Sequence, residues 1–499
     1  MTPTSVLLTT DGTFPCYPGG VTTWCDQLLR QLSDLRFHVF AVTYSPSHTP
    51  SFCLPSNVES LRLLPLWGTE EPGPQEGSLS SILLRKARTS TDTIRSRFLD
   101  PFGCCVRSVL CPASRPEQMA EALFALHIYF QEFDYPRTMS SPETWELFLR
   151  ICRDTYPPDN RPSLDEATTC MRWVQRYLAV AAVHHPDVDI VHASMAGLAG
   201  IPGVIQKLKR GSRFLLSEHG IFLRELYLSL AGMKQGALCR RFLFSWYETI
   251  ARVNYTYADA VSSLCEFNRK WQARVGAAPE KIRIIPNGVD PATFRPPDPP
   301  RAEQLGRART VLTMARIFPL KGIDHLLRAA RLVLDRMPDV RFRILGGIGD
   351  PRYHRHCLDL AEQLGISKSL EWGQTPDPAS AYQSADVFCL PSISEAMPYS
   401  VLEAMFSGCP VVATEVGGVS EMLAGTGLVV PPKDAESMAR AILSLLEGEG
   451  ASSYRQDLAC RALAHAQSSY TIEKSSGRFR ELYDQLSGQT RPAHLLTAR

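Results

Sequence analysis

The stretch SEAMPYSVLEAM, residues 394–405, predicts how the second half of the chain folds. It follows ADVFCLPS (385–392), an apolar run of strand length, and its Pro398 suits the first position of a helix. The pattern therefore predicts a strand, a loop and a helix, whose N–H groups and positive dipole end would attract an anion. Glu395 in the loop and Glu403 in the helix would stand beside that anion. Two solvated acids on an ordinary connection are the alternative.

Composition and charge limit the classes of protein to consider. A chain of 499 residues, 44% hydrophobic and 21% charged, is long enough for two or three globular domains. The net charge of +2 gives no reason to expect nucleic acid as a partner. The first residues lack a charged and then apolar leader, and no apolar run approaches about 20 residues. Neither a signal peptide nor a membrane span is therefore predicted, and a cytoplasmic location is expected.

The fourteen cysteines are scattered and show no metal-ligand spacing. In a chain of this length they are expected to be mostly buried thiols in a reducing compartment. Cys104, Cys105 and Cys111 form the one cluster in the sequence that invites a test for metal or redox chemistry.

The first half of the chain begins with an alternating α/β pattern. A predicted strand at 6–10 leads through a loop containing Gly19 and Gly20 to an amphipathic helix at about 21–32. Paired glycines allow positive φ and let a ligand approach the backbone, although a plain turn is the more frequent use of such a pair. From about 66 to 165 only helical periodicity is found, which predicts a helical insertion. Its aromatic residues are expected in the core, with an acceptor-binding or partner-binding face as the alternative.

Two later strands of the first half end at histidines. Strand 189–193 carries His192 at its exit, and strand 213–217 is followed by His219 between a glutamate and a glycine. Ligands gather at the carboxyl ends of parallel strands, so the two histidines are expected to face one cleft. A functional role is predicted for His219.

A second alternating α/β pattern starts after the five prolines of 291–300, which predict a stiff linker. The strand at 310–316 ends at Arg316, and Lys321 follows before the next helix. Across this proline turn the two cations could converge on a diphosphate, with two solvated cations as the alternative. Repeated strand–helix units predict a second doubly wound parallel sheet.

The predicted domains follow from these patterns. The first comprises 1–292 with an insertion at about 66–165, and the second comprises 293–470. A helix at 471–486 is predicted to return to the first domain, and 487–499 is predicted to be a loose tail.

Several motifs together resemble a known family. The Glu395-x7-Glu403 pair, the R-x-x-P-x-K-G run at 316–322, Gly19-Gly20 and IPNGVD at 285–290 are similar to those of retaining glycosyltransferases of family 4. The long insertion together with SEHGIF-x-RE at 217–225 resembles more specifically the PelF-type branch, associated with exopolysaccharide assembly. The resemblance covers about residues 5–485.

The resemblance implies the GT-B fold, in which two Rossmann-like domains face a cleft. The first would bind the acceptor and the second the nucleotide-sugar donor. Arg316 and Lys321 would hold the diphosphate and stabilise the leaving group in place of a metal, so no metal or other cofactor is expected. Glu403 would bind ribose hydroxyls, and Glu395 and His219 would contact the transferred sugar. The remaining donor-site residues implied by the family are Gly19, Gly20, Ala396, Met397 and Pro398.

Ala396 departs from the family pattern, which commonly has glycine at this place. If this residue must adopt positive φ, an alanine would cost about 1 kcal/mol or shift the loop. Retained activity is nevertheless expected, because the other matching positions are intact.

The resemblance thus implies a hexosyltransferase that moves a hexose from a nucleoside-diphosphate sugar, UDP-glucose being favoured, to a glycan acceptor in exopolysaccharide biosynthesis. Two alternatives stay open: a catalytically idle nucleotide-binding subunit of a polysaccharide synthesis or export complex, and a nucleotide-sugar epimerase. A membrane polysaccharide-synthase complex is a further candidate partner, and it would hold the protein at the inner face of the membrane.

Overall fold

The computed structural model describes residues 4–71, 73, 77–111, 113–230, 233–298 and 308–488. The chain forms two compact units. Unit 1 contains the described residues of 1–263, 269–283 and 479–499, and unit 2 contains 264–268 and the described residues of 284–478. The predicted tail beyond 488 and the end of the predicted proline linker lie outside the described residues.

Unit 1 is built on a seven-stranded sheet in the order β3-β2-β1-β4-β5-β6-β7. The neighbouring pairs from β3 through β6 are parallel. The order reverses between β1 and β4, the place where ligands of open α/β sheets bind. The strands are β1 (Ser5–Asp11), β2 (Arg36–Thr43), β3 (Val58–Pro65), β4 (Ile190–Ala193), β5 (Arg213–Glu218), β6 (Ala260–Ser263) and β7 (Ile282–Ile284).

Every regular element described between β3 and β4 is helical, as the predicted insertion requires. A π-helical turn, Ile94–Phe98, joins α3 to α4. The helices of the first part of the chain are α1 (Gly20–Gln31), α2 (Leu79–Arg88), α3 (Thr91–Thr93), α4 (Leu99–Leu110), α5 (Pro116–Glu132), α6 (Tyr135–Met139), α7 (Pro142–Thr155), α8 (Leu164–Tyr177), α9 (Ala179–Ala182), α10 (Ile201–Arg210), α11 (Phe222–Leu230), α12 (Ala237–Tyr257) and α13 (Glu266–Val275).

Unit 2 is built on a six-stranded parallel sheet in the order β10-β9-β8-β11-β12-β13. This is the strand order of a Rossmann fold, and it reverses between β8 and β11. The strands are β8 (Thr310–Met314), β9 (Arg341–Leu345), β10 (Leu370–Gly373), β11 (Val387–Leu390), β12 (Val411–Thr414) and β13 (Leu428–Val430).

Helices cover both faces of the second sheet. Successive residues of β8 show this, because Val311 packs in one apolar cluster and Leu312 in another. Neighbouring strand residues point to opposite faces, so each face has its own core. The helices are α14 (Ile323–Arg336), α15 (Pro351–Gln363), α16 (Pro378–Ser384), α17 (Tyr399–Phe406), α18 (Val419–Leu423), α19 (Ala435–Leu446), α20 (Ala451–Ser469) and α21 (Ile472–Gly488).

The predicted fold class of two Rossmann-like parallel-sheet domains with a helical insertion is confirmed. Pro398, however, precedes α17 as its N-cap residue, with ψ of 125°, and does not occupy the first helical position. Strand β3 and helices α4 and α12 were not predicted. Within the described part of the chain, no helix combines the length and the apolar character needed to cross a membrane.

Candidate functional site

The candidate site in unit 2 lies at the carboxyl ends of β8 and β11, where the strand order reverses. Beyond β8 the backbone continues beside β9, since the Ala315 N–H donates to Leu345 O (3.0 Å) and the Ile317 N–H to Gly347 O (2.9 Å). A 3₁₀ turn, Pro319–Lys321, then leads into α14. Beyond β11 the loop 391–398 leads into α17. Two strand-to-helix connections are thus brought to one edge of the sheet.

Lys321 and Glu395 are joined across these two connections. Lys321 Nζ lies 2.5 Å from Glu395 Oε1, and Ser392 Oγ donates to the same carboxylate oxygen at 2.7 Å. The Glu395 side chain is only 10% exposed, so its charge needs this compensation. The structure therefore brings together two of the predicted site residues that are 74 positions apart in the chain.

Backbone contacts on three sides fix the loop that carries Glu395. The Ile393 N–H donates to Leu320 O at 2.8 Å, and the Gly418 N–H donates to Ala396 O at 2.7 Å. The buried Asn287 donates through Nδ2 to Met397 O at 3.0 Å. Asn287 of the IPNGVD motif (285–290) therefore holds the loop 391–398 by hydrogen bonding to its backbone, a role that the sequence alone did not reveal.

Ala396 does not carry the strain that its replacement of glycine could imply. Among the described residues, positive φ outside glycine occurs at Ala424 and Lys433. The glycine requirement falls instead on Gly417, with φ of 57°, where a Cβ would lie 2.2 Å from Glu395 O. The loop thus accommodates alanine at 396 without the left-handed conformation that would penalise it.

Glu403 lies about a turn and a half into α17, as predicted, and is hydrogen-bonded by Tyr382. The Tyr382 hydroxyl donates to Glu403 Oε2 at 2.7 Å. Burial raises the pKa of Glu403 to about 7, and the Tyr382 hydrogen bond offsets only part of that rise. A carboxyl that titrates near neutrality in a buried position is a candidate for ligand binding.

This pKa predicts how a Glu403→Gln variant responds to pH. A carboxyl with a raised pKa favours the folded state fully below its unfolded value of 4.5, and this contribution is lost as pH rises through 7. Glutamine keeps the bond from Tyr382 but does not ionise. The free energy of unfolding of the variant, relative to that of the wild type, is therefore expected to rise by about 1–2 kcal/mol between pH 5 and pH 8. Thermal unfolding across this range measures it, with the exposed Glu449→Gln as control. If the difference in stability between variant and wild type does not change with pH, the raised pKa of Glu403 is contradicted.

Arg316 is exposed at the end of β8 and packs against the glycine-rich loop that follows β9. A Cβ on Gly349 would lie 2.9 Å from Arg316 Nε, and a Cβ on Gly346 would lie 2.1 Å from Ala315 O. The backbone of this loop can therefore lie against the connection only because side chains are missing. Arg316 and Lys321 share one strand-to-helix connection, and their convergence on a ligand stays a prediction.

Unit 1 has a cavity of about 160 Å³ at the carboxyl ends of β1, β4 and β5, next to its own switch point. Both ring nitrogens of His219 are buried and have no hydrogen-bond partner among the described residues. Burial lowers the pKa of His219 to about 3, so the ring is neutral and offers one donor and one acceptor. The residues that line the cavity are Asp11, Thr13, Val21, Ser194, Met195, Glu218, His219, Gly220, Phe222 and Glu225.

Two carboxyl groups that line this cavity also have raised pKa values. Burial raises the pKa of Asp11 to about 6, against a hydrogen bond from the Leu198 backbone. Burial raises the pKa of Glu218 to about 7, although the Tyr255 hydroxyl donates to it. Sequence reasoning did not single out Asp11. Its position at the end of the first predicted strand was the available signal.

The expectation that His192 and His219 face one cleft is wrong for His192. Its side chain is fully buried, with Nδ1 2.6 Å from the Tyr483 hydroxyl and Nε2 2.7 Å from Ser217 Oγ. Both nitrogens are therefore occupied by protein groups, and the Trp24 ring contacts both histidine rings. His192 connects α21 to the sheet and does not line the cavity.

Gly19 and Gly20 lie exposed at the start of α1, directly before Val21, which lines the cavity. Gly19 has an extended backbone with φ of 165°, and the positive φ in this loop belongs to Gly12, at 71°. The glycine pair thus leaves the helix N-terminus open without adopting the left-handed conformation itself.

The cysteine cluster does not assemble into a site. Cys105 is buried in α4, Cys104 is partly exposed with its Sγ 3.6 Å from Gln118 O, and Cys111 is exposed beyond the helix. In the described part of the chain, no three side chains of His, Cys, Asp or Glu are grouped to hold a metal ion.

Two different protein families match the two parts of the chain, and the boundary between the matches lies near the main boundary between the two units. Residues 4–280 match the family described as "Domain of unknown function (DUF3492)", and residues 308–448 match the family described as "Glycosyl transferases group 1". The D-inositol 3-phosphate glycosyltransferase of Kribbella flavida is 33% identical over 210 residues, which are 38% of this chain and 48% of that protein. The chain spans about half the length of the curated relatives it matches.

Two solved structures share the fold over nearly the whole chain. Sucrose-phosphate synthase from Thermosynechococcus elongatus has a TM-score of 0.63 and 19% identity, covering 98% of this chain and all of that one. HepE of Anabaena, in complex with UDP and glucose, has a TM-score of 0.59 and 16% identity, covering 96% of this chain and 99% of that one. At these identities the likeness shows the fold. The chain belongs to the DUF3492 family and has a GT-B fold, in which residues 308–448 match the glycosyl transferases group 1 domain.

Proposed function

We propose that this protein is a retaining glycosyltransferase that moves a hexose from a nucleoside-diphosphate sugar to a glycan acceptor. The observation that carries the proposal is the ion pair between Lys321 and Glu395 at the switch point of the second sheet. A cation for phosphate and a carboxylate for sugar hydroxyls are held 2.5 Å apart beside the start of α17. The match of this domain to glycosyl transferases group 1 supports the same reading.

In the proposed reaction the bond between the anomeric carbon of the hexose and the diphosphate oxygen breaks. The acceptor hydroxyl oxygen bonds to that carbon on the same face, and its proton passes to the departing phosphate oxygen. The nucleoside diphosphate leaves with the bonding electron pair. Lys321 and Arg316 would stabilise its growing negative charge, a task that otherwise falls to a metal ion.

The two glutamates would divide the recognition of the donor. Glu395, positioned by Lys321 and Ser392, would accept hydrogen bonds from the sugar hydroxyls. Glu403, with one oxygen bonded to Tyr382, would bind the ribose. The backbone of Ala396, Met397 and Pro398 would line the donor where the chain enters α17.

In unit 1 the neutral His219 would bind a sugar hydroxyl, because one of its unpartnered ring nitrogens can accept a hydrogen bond and the N–H of the other can donate one. Gly19 and Gly20 would let phosphate approach the start of α1. The DUF3492 match covers this unit, and we assign it the acceptor.

UDP-glucose is the first donor to test, because HepE, which has the same fold, is described in complex with it. A role in exopolysaccharide biosynthesis, in the PelF-type branch and alongside a membrane polysaccharide-synthase complex, belongs to the proposal. A diphosphate held by Arg316 and Lys321 would need no metal, so activity should persist in the presence of a chelator.

The test is release of nucleoside diphosphate by purified protein offered UDP-, GDP- and ADP-sugars, with and without glycan acceptors. Release from one donor is expected, and Glu395→Gln should lower it by about tenfold to a hundredfold because the carboxylate is lost. The matched control is Glu362→Gln on the exposed side of α15. Conversion of the donor sugar without an acceptor would identify an epimerase. Tight binding of a donor without transfer of its sugar to any tested acceptor would identify a catalytically idle subunit.

A further inference from the structure

Helix α2 of the insertion presents an apolar face to solvent. Leu79 is 74% exposed, and Leu83 and Leu84 are each 57% exposed. None of the ten residues of the helix is buried. Three neighbouring leucines with this exposure form a patch, whereas isolated exposed leucines are ordinary.

The exposed leucines lie on one side of the helix. At 100° per residue, Leu79, Leu83 and the exposed Ala87 form a continuous stripe, and Leu84 lies on the same half of the helix beyond Ser80. Ile82 and Arg85, on the other side, line a cavity within unit 1, which Lys86 also borders. Helix α2 is therefore amphipathic, but its more apolar face is turned toward solvent and not toward the protein.

Cations flank this apolar stripe. The helix carries Arg85, Lys86 and Arg88 in its last turn and has no acidic residue. The exposed Lys86 and Arg88 stand on opposite sides of the stripe, and the exposed Arg137 donates to Lys86 O at 2.9 Å. Leucines bordered by cations complement a surface that is apolar below and anionic above.

We propose that α2 docks on an anionic lipid surface, with Leu79, Leu83 and Leu84 among the acyl chains and Lys86 and Arg88 at the phosphates. A ten-residue helix is about 15 Å long, and three leucines fall short of the roughly 800 Å² that each partner buries in a stable protein interface. The short apolar face and the few cations fit weak, reversible binding to a bilayer. This inference does not depend on the proposed glycosyl transfer.

The experiment is co-sedimentation of the full chain with vesicles of phosphatidylcholine and phosphatidylglycerol in about equal amounts, and with vesicles of phosphatidylcholine alone. Binding to the anionic vesicles is expected, and it should weaken as salt is added. Leu79→Ser with Leu83→Ser and Leu84→Ser should lower the partition coefficient at least tenfold. Lys86→Gln with Arg88→Gln should lower it several-fold and reduce its salt dependence.

The matched control is Leu164→Ser, because Leu164 is 70% exposed on α8, outside the patch. It should bind vesicles like the wild type. Equal unfolding temperatures would show that each variant is folded, as expected for exposed positions. No binding to anionic vesicles, or equal loss in the control, would overturn the proposal. A concentration-dependent dimer without vesicle binding, abolished by the three serines, would assign the patch to a second copy of the chain instead.

Discussion

Replacing Lys321 by methionine is expected to lower nucleoside-diphosphate release by about a hundredfold to a thousandfold, the cost of removing one preorganised charge from a developing oxyanion. Methionine keeps an unbranched apolar side chain of similar length, so the 3₁₀ turn that precedes α14 should persist. The loss should appear in kcat more than in the affinity for the donor, because negative charge on the leaving group grows toward the transition state.

The structure adds a second cost to this substitution. Lys321 is the cation in contact with Glu395, whose carboxylate is 10% exposed and would retain Ser392 as its neutral partner. An uncompensated buried carboxylate tends to bind a proton or to turn away. Lys321→Met is therefore expected to remove the cation that we propose for the diphosphate and also to displace Glu395, the carboxylate that we propose for the sugar.

Two further variants separate these effects. Lys321→Arg keeps the charge in a different shape and should retain part of the activity. Lys368→Met, at an exposed lysine of the same unit, should behave like the wild type. Steady-state kinetics with the active donor, together with calorimetric binding of the nucleoside diphosphate, measures both steps. Unchanged kcat in Lys321→Met would remove Lys321 from the proposed chemistry.

The sheets could be predicted because their central strands are buried on both faces. Strand β11 is a continuous apolar run, VFCL, and the apolar VLL of β1 begins a strand that is buried over six residues. Such runs identify central parallel strands without an alignment. Strand β3 was not predicted because it has no such continuous apolar run. It lies at the sheet edge, with mostly exposed or half-buried residues and VESLRLLP as its sequence, so it lacks that signal.

The residues of the site could be predicted, but their partners could not. Local sequence placed Glu395 in a loop and Lys321 at a helix start, and their 2.5 Å contact depends on which strands are neighbours. The same limit explains His192. Its local pattern resembles that of His219, and only Tyr483, 291 residues away, shows that it is a structural residue.

Ala396 illustrates how one motif position can mislead. A glycine at this place in relatives suggested a left-handed residue, but the conformational requirement here lies at Gly417. That glycine comes from a different segment, following β12, and it packs against the carbonyl groups of the loop. The need for a glycine with positive φ can thus lie at Gly417, in a different segment from the motif position 396.

Gly322→Ala is expected to destabilise unit 2 by about 2–4 kcal/mol. Gly322 has φ of 62°, which costs an alanine about 1 kcal/mol. Its Cβ would also lie 2.2 Å from Pro391 O and 3.2 Å from Pro391 C, both backbone atoms that cannot rotate away. Overpacking against such atoms adds about 1–3 kcal/mol. Because Pro391 begins the loop that holds Glu395, the same clash should separate Glu395 from Lys321 and lower the activity.

Gly365→Ala is the matched control for this prediction. Gly365 has φ of 69°, and a Cβ there would meet no atom within 4 Å. The two substitutions therefore share the left-handed penalty, and only Gly322→Ala adds the contact with Pro391. Calorimetric unfolding should show Gly365→Ala about 1 kcal/mol below the wild type and Gly322→Ala about 1–3 kcal/mol lower still. Equal losses would mean that the 391–398 loop moves aside at little cost, so the close packing of Gly322 would not be what fixes Glu395 beside Lys321.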